Sequence, residues 1–65
     1  MLSLRVERVK RNWTQEELSA KSGVSRVTIS NIERRGIKNI PVYTLEKLAK
    51  SLDTTVAKLF FSEEE

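Results

Sequence analysis

Arg26, Val27, Ser30 and Asn31 share one side of a short stretch whose other side carries Ile29 and Ile32. With Ser25 they supply one forked cation, one apolar knob, one amide and two hydroxyls, and no carboxylate. An arginine fork suits the paired acceptors of a guanine edge. An asparagine amide suits the donor–acceptor edge of adenine or a phosphate oxygen, and valine methyls suit the thymine methyl. These are the groups that read base edges in the major groove of duplex DNA. Taken singly, each residue is equally at home on a solvated helix face, so the surrounding pattern must decide.

Other chemistries lack their residues. The chain has no cysteine and no histidine, which removes thiolate and imidazole ligands and the commonest general base. No carboxylates pair across an implied cleft. The expectation is therefore no metal, no cofactor and no enzyme activity.

The reading face needs a helix behind it, and helix signals recur along the whole chain with no alternating strand pattern. The first segment runs from about Leu2 to Asn12. Its apolar residues Leu2, Val6, Val9 and Trp13 fall at helical spacing, with Leu4 nearby. Thr14-Gln15-Glu16-Glu17 is a capping box that opens a second helix, which stops near Ser22 before Gly23. Ser25 then caps a third helix over 25–34. Two short helices joined by a tight turn containing glycine have the outline of a helix-turn-helix. Residues 36–40 form a loop, and Pro41 fits the first turn of a fourth helix carrying Leu45, Leu48, Ala49 and Leu52. Thr55 caps a short fifth helix with Val56, Leu59 and Phe60 inward. The fold class expected is an all-α, compact five-helix bundle.

Phosphate grips are expected around the reading helix. Gln15 lies in the first turn of the second helix, where an amide and free backbone N–H groups meet anions. Ser25, Thr28, Arg35, Lys38 and Asn39 join it, Arg34 lies among them, and Lys10 and Arg11 form a second flank. Glu33 would repel DNA if it faced outward. Its spacing from Ile29 and Ile32 turns it inward, where it is expected to form a structural ion pair with Arg8.

The bulk numbers agree with a polyanionic partner. The 65 residues make one domain, with a net charge of +3. Setting aside Glu63, Glu64 and Glu65 leaves 12 basic residues against 6 acidic ones, a balance of +6. We expect a DNA-binding domain over residues 1–62 and an acidic tail over 63–65. The N-terminus lacks the apolar core of a signal peptide, and no apolar run spans a bilayer, which needs roughly 20 residues. No membrane association is expected, and a cytoplasmic, nucleoid-associated protein of a prokaryote or phage is.

The stretch T-Q-E-E-L-S-A-K-S-G-V-S-R-V-T-I-S-N-I-E-R, residues 14–34, resembles the phage Cro- and lambda-repressor-like helix-turn-helix family, also called Xre-type. The resemblance extends to Arg8 before it, and to P-V-Y-T-L-E-K-L-A-K-S-L and T-V-A-K-L-F after it. It implies a five-helix bundle, Gln15 at the DNA backbone and base-reading positions at Arg26, Val27, Ser30 and Asn31. It also implies a buried pair between Arg8 and Glu33. Two features depart from the family pattern: Glu7 stands where an apolar residue is frequent, and the loop after Glu33 is one residue longer than the commonest form.

A single bundle of this size makes few contacts, so a homodimer on half-sites about one helical turn apart is expected, regulating transcription. The spare apolar residues Ile37, Ile40, Tyr43 and Phe61 are the expected dimer surface, unless Ile37 and Ile40 only pin their loop to the core. The rival reading is a protein-interaction module such as an antitoxin or adaptor, with a protein partner or a further domain in a longer chain. An apolar, uncharged face on helix 25–34 would favour it, and Arg26, Ser30 and Asn31 argue against it.

Overall fold

In the computed structural model, residues 3–61 are described, and five helices follow one another: α1 Leu4–Lys10, α2 Gln15–Ser22, α3 Arg26–Arg35, α4 Val42–Ser51 and α5 Val56–Phe60. No strand occurs among the described residues, so the all-helical expectation holds. The expected domain end at 62 and the acidic tail over 63–65 lie outside the described residues.

Local chemistry sets most helix ends. The Thr14 hydroxyl receives the Glu17 N–H at 3.0 Å, and the Glu17 carboxylate receives the Thr14 N–H at 2.7 Å. That reciprocal pair satisfies two donors that a helix start would otherwise leave open. Gly23 ends α2 at φ 78°, a left-handed conformation that a Cβ disfavours. Only residues 23–25 separate α2 from α3. Ser25 caps α3 by receiving the Thr28 N–H at 3.1 Å, and Thr55 caps α5 by receiving the Lys58 N–H at 3.1 Å. Pro41 sits one residue earlier than expected. It is the cap of α4, and its carbonyl receives the Thr44 and Leu45 N–H groups.

Every helix contributes to one core, made of Leu4, Leu18, Val24, Ile29, Ile32, Leu45, Leu48, Ala49, Leu52 and Leu59. Trp13, Ile37, Ile40, Val56 and Phe60 pack around it, half-buried. The inward residues of α3 to α5 are those that the spacing anticipated.

Helix α1 is the exception. Its expected apolar face included Val6 and Val9, yet these are 49% and 52% exposed, while Leu4 and Glu7 are buried. Leu2 lies outside the described residues. The helix also ends at Lys10 rather than Asn12, because Asn12 takes the left-handed φ of 59°. The physical reason for the rotation is polar. Leu4, Glu7, Arg8 and Arg11 fall at helical spacing and form the inward face. Three of those four side chains are charged, and each is anchored: Arg8 to Glu33, and Arg11 to both Glu7 and the Leu52 carbonyl. Helix α1 is clamped by hydrogen bonds on the side that a hydrophobic count passes over.

Candidate nucleic-acid interface

Helix α3 is fixed from behind by Ile29 and Ile32, both buried. Their burial decides which way the opposite side faces. Arg26 and Asn31 are exposed there, and so is Val27 at 64%. Ser30 is half-buried and lies at the margin of that face. Three of the four expected base-reading residues are thus exposed and the fourth is exposed in part.

Ser25 and Thr28 bracket the start of the helix. The Ser25 hydroxyl donates to Thr28 Oγ1 at 2.9 Å while its oxygen caps the Thr28 N–H. Both hydroxyls are therefore held locally, with Ser25 exposed and Thr28 half-buried.

Gln15 stands at the first turn of α2, beside this end of α3. Its amide nitrogen donates to Glu33 Oε1 at 3.1 Å, and Arg26 Nη1 approaches its amide oxygen at 3.5 Å. The second distance is at the outer limit for a hydrogen bond, so it orients Arg26 only weakly. Arg8, Thr14, Gln15, Glu16 and Arg26 together line an open depression, where the Arg26 guanidinium and the Glu16 carboxylate are both exposed.

Beneath it, Arg8 and Glu33 join in a two-pronged contact. Arg8 Nε donates to Glu33 Oε2 at 2.8 Å, and Arg8 Nη2 donates to Glu33 Oε1 at 3.0 Å. The remaining prong, Nη1, donates to the Trp13 carbonyl at 2.7 Å. The side chains are only 12% and 5% exposed. Hydrogen bonding to Glu33 raises the Arg8 pKa above its ordinary value against the opposing effect of burial, which keeps the guanidinium charged. The one carboxylate on α3 is thereby turned inward and neutralised, and the outer face of the helix stays free of negative charge.

Arg34, Arg35, Lys38 and Asn39 are exposed at and beyond the C-terminal end of α3. Asn39 holds a left-handed φ of 69° within the loop. The second expected flank needs correction. Arg11 Nη1 donates to the backbone and side chain of Glu7, and its Nη2 donates to the Leu52 carbonyl at 2.9 Å. It is a tie between α1 and the end of α4. Lys10 is the exposed member of that pair and reaches Glu7 at 3.5 Å. Of the four residues expected at a dimer surface, Ile37 and Ile40 are half-buried against the core, while Tyr43 and Phe61 are exposed.

Sequence reasoning missed two features. One is the Gln15–Glu33 hydrogen bond, for which pattern offers no signal because the residues lie on different helices. The other is the buried position of Glu7, for which the one signal was that Glu7 stands where the family frequently has an apolar residue. Among the described residues no helix is long and apolar enough to cross a membrane.

Comparison with known proteins places this geometry in a wider group. A sequence model of the helix-turn-helix family matches residues 4–59. A protein of Neisseria meningitidis serogroup B, described as a hypothetical transcription factor, is 33% identical over 63 residues, which covers 97% of this chain and 58% of the relative. The control protein C.SmaI of Serratia marcescens is 44% identical over 48 residues, covering 74% of this chain and 56% of the relative. The chain thus spans a little over half the length of either curated relative. No solved structure matches significantly.

Proposed function

The chain belongs to the helix-turn-helix family of Xre- and lambda-repressor-like domains, and from that premise we propose that it regulates transcription by laying α3 in the major groove of duplex DNA. The observation that carries this reading is the division of α3 into a side buried through Ile29 and Ile32 and an opposite side on which Arg26, Val27 and Asn31 stand exposed. Arg26, in the first turn, addresses a guanine edge, Val27 a thymine methyl, and Ser30 and Asn31 the neighbouring bases.

Gln15, Ser25 and Thr28 hold phosphates on one side, and Arg35, Lys38 and Asn39 hold them on the other. These contacts set the register and supply the sequence-independent part of the affinity. The names of the two relatives, a transcription factor and a control protein, support a regulatory role. One such bundle covers only about 600–1,000 Å² of protein surface on DNA. Two copies related by a two-fold axis, with recognition helices roughly 34–36 Å apart, give selective binding on a pseudo-palindromic site. The reading domain extends over residues 1–62, with 63–65 as an acidic appendage.

Selection of bound duplexes from a random pool, followed by a salt titration on the winner, tests this reading. Enrichment of a two-fold-related motif, with affinity falling steeply as salt rises, is the expected outcome. Recovery of no preferred sequence would refute it.

A further inference from the structure

Helix α1 turns Leu4 and Glu7 inward, with Arg8 and Arg11 beside them. At about 3.6 residues per turn, the opposite side carries Val6 and Val9, with Arg5 at one edge and Lys10 at the other. All four are exposed, and together they line one shallow depression. The helix therefore shows solvent a narrow apolar stripe with a cation on each side.

Nothing in α1 itself asks for this arrangement. Exposed valines are poor helix formers, because the neighbouring turn restricts their branched side chains. A cation in the first turn opposes the helix dipole, and Arg5 is the second residue of α1. Lys10 in the last turn suits the dipole, and it reaches Glu7 only at 3.5 Å. Three of the four residues thus disfavour the helix they stand on, which points to a partner outside it.

The register specifies that partner. With Val6 at a and Val9 at d of a heptad, Arg5 falls at g and Lys10 at e, the positions whose charges choose the partner of a helix packed lengthwise. A second copy of α1 would set cation against cation in either direction. A phosphate backbone would take the cations and leave the valines in water. A lipid surface needs a broader apolar face than two valines on a helix of 7 residues. A helix whose apolar stripe is bordered by carboxylates satisfies all four residues at once.

We infer that the outer face of α1 docks an acidic amphipathic helix of a partner protein, lying along Val6 and Val9 with its carboxylates against Arg5 and Lys10. The surface is small, so the contact is weak and transient, and suits a partner brought close by a second contact. The inference stands apart from the base-reading face of α3 and does not depend on it.

The probe is a synthetic peptide of three heptads with leucine at a and d and glutamate at e and g, added to the full chain carrying isotope-labelled valine. It should shift the methyl resonances of Val6 and Val9, and a peptide with lysine in place of every glutamate should not. Raising the salt should weaken the binding. Val9→Thr keeps the shape but replaces a methyl by a hydroxyl, and should weaken it at least about fourfold. Arg5→Glu/Lys10→Glu should lose the acidic peptide and gain the lysine one. Arg5→Glu alone leaves the Lys10–Glu7 contact in place, so it keeps the test decisive if the double variant unfolds, and it should weaken acidic-peptide binding severalfold. No shift at millimolar acidic peptide overturns the inference, as do equal binding of the two peptides and a Val9→Thr chain that binds as the wild type does. Displacement of the peptide by duplex DNA or by phosphatidylglycerol vesicles, with the same methyls shifted, also overturns it, because the face then belongs to nucleic acid or lipid. A chain that binds the acidic peptide but no duplex disproves the DNA reading alone.

Discussion

Gln15 donates its side-chain amide to Glu33 at 3.1 Å, through the same carboxylate oxygen that receives Arg8 Nη2 at 3.0 Å. One buried oxygen thus links the first turn of α2, the body of α1 and the C-terminal half of α3. The two helices of the motif are held by directional bonds as well as by apolar packing. Their relative angle, and with it the presentation of Arg26, depends on this junction. Among the described residues no buried side-chain polar atom is left without a partner, so the junction carries no unmet desolvation penalty.

Removing the acid should therefore be severe. Glu33→Ala leaves the Arg8 guanidinium largely buried with only the Trp13 carbonyl to receive it. Loss of one partner from a buried pair costs about 3–5 kcal/mol. In a domain this small that lowers the melting temperature by more than about 10 °C, as thermal circular dichroism would show. The Arg8→Met/Glu33→Leu double variant should recover most of the loss, because it leaves no buried charge unpaired.

Arg26 should behave in the opposite way. It is exposed and makes only the long contact to Gln15, so Arg26→Ala should leave the melting temperature unchanged. On the selected duplex it should lose about 1–3 kcal/mol and relax preference at one base pair. Titration against a set of single-base variants checks this, and an unaltered preference would remove Arg26 from the reading face.

Lys38→Ala addresses the phosphate flank. The side chain is exposed in the loop after α3 and carries no base-edge geometry. Its loss should weaken binding to all duplexes alike and make the slope of log affinity against log salt shallower by about 1. A change confined to one sequence would reassign it to base reading.

Glu7 gives the fold an acid dependence. The Arg11 hydrogen bond holds its carboxyl below the ordinary value of 4.5, burial opposes this, and Lys10 adds to the lowering. A carboxyl whose folded pKa is depressed stabilises the fold above its unfolded pKa and loses that contribution as pH falls through the folded value. Stability should therefore decline as pH drops below about 4.5. Glu7→Gln should show a flatter profile over that range in urea melts, and an identical slope would show that the pair contributes nothing.

Much of the architecture was legible before any coordinates. The T-x-x-E capping box, Gly23, Ser25 and Thr55 mark helix ends through bonds that a residue makes with its near neighbours, and such bonds are written in local order. The apolar spacing of α3 to α5 was legible for a similar reason, since burial of Ile29, Leu48 and Leu59 needs only the right period. The rotation of α1 was not. Its inward face is mostly charged, and Val6 and Val9 offered a more hydrophobic face that no other helix covers. The Arg11 tie to the Leu52 carbonyl escaped as well, because a backbone acceptor on a distant helix leaves no trace in side-chain types.

The amino-acid order by itself determined that the chain makes short capped helices, that two of them form a tight helix-turn-helix, and that α3 carries polar groups suited to bases opposite its two isoleucines. Beyond the Arg8–Glu33 pair, to which spacing and resemblance already pointed, only the tertiary structure decided which charged residues are spent inside the protein and which remain on its surface. Arg8, Arg11, Glu7 and Glu33 are consumed by one another and by backbone carbonyls, whereas Arg26, Arg34, Arg35 and Lys38 are exposed. The reason is that periodicity records which side of a helix is apolar, whereas an ion pair between helices depends on where their axes lie once the core has closed.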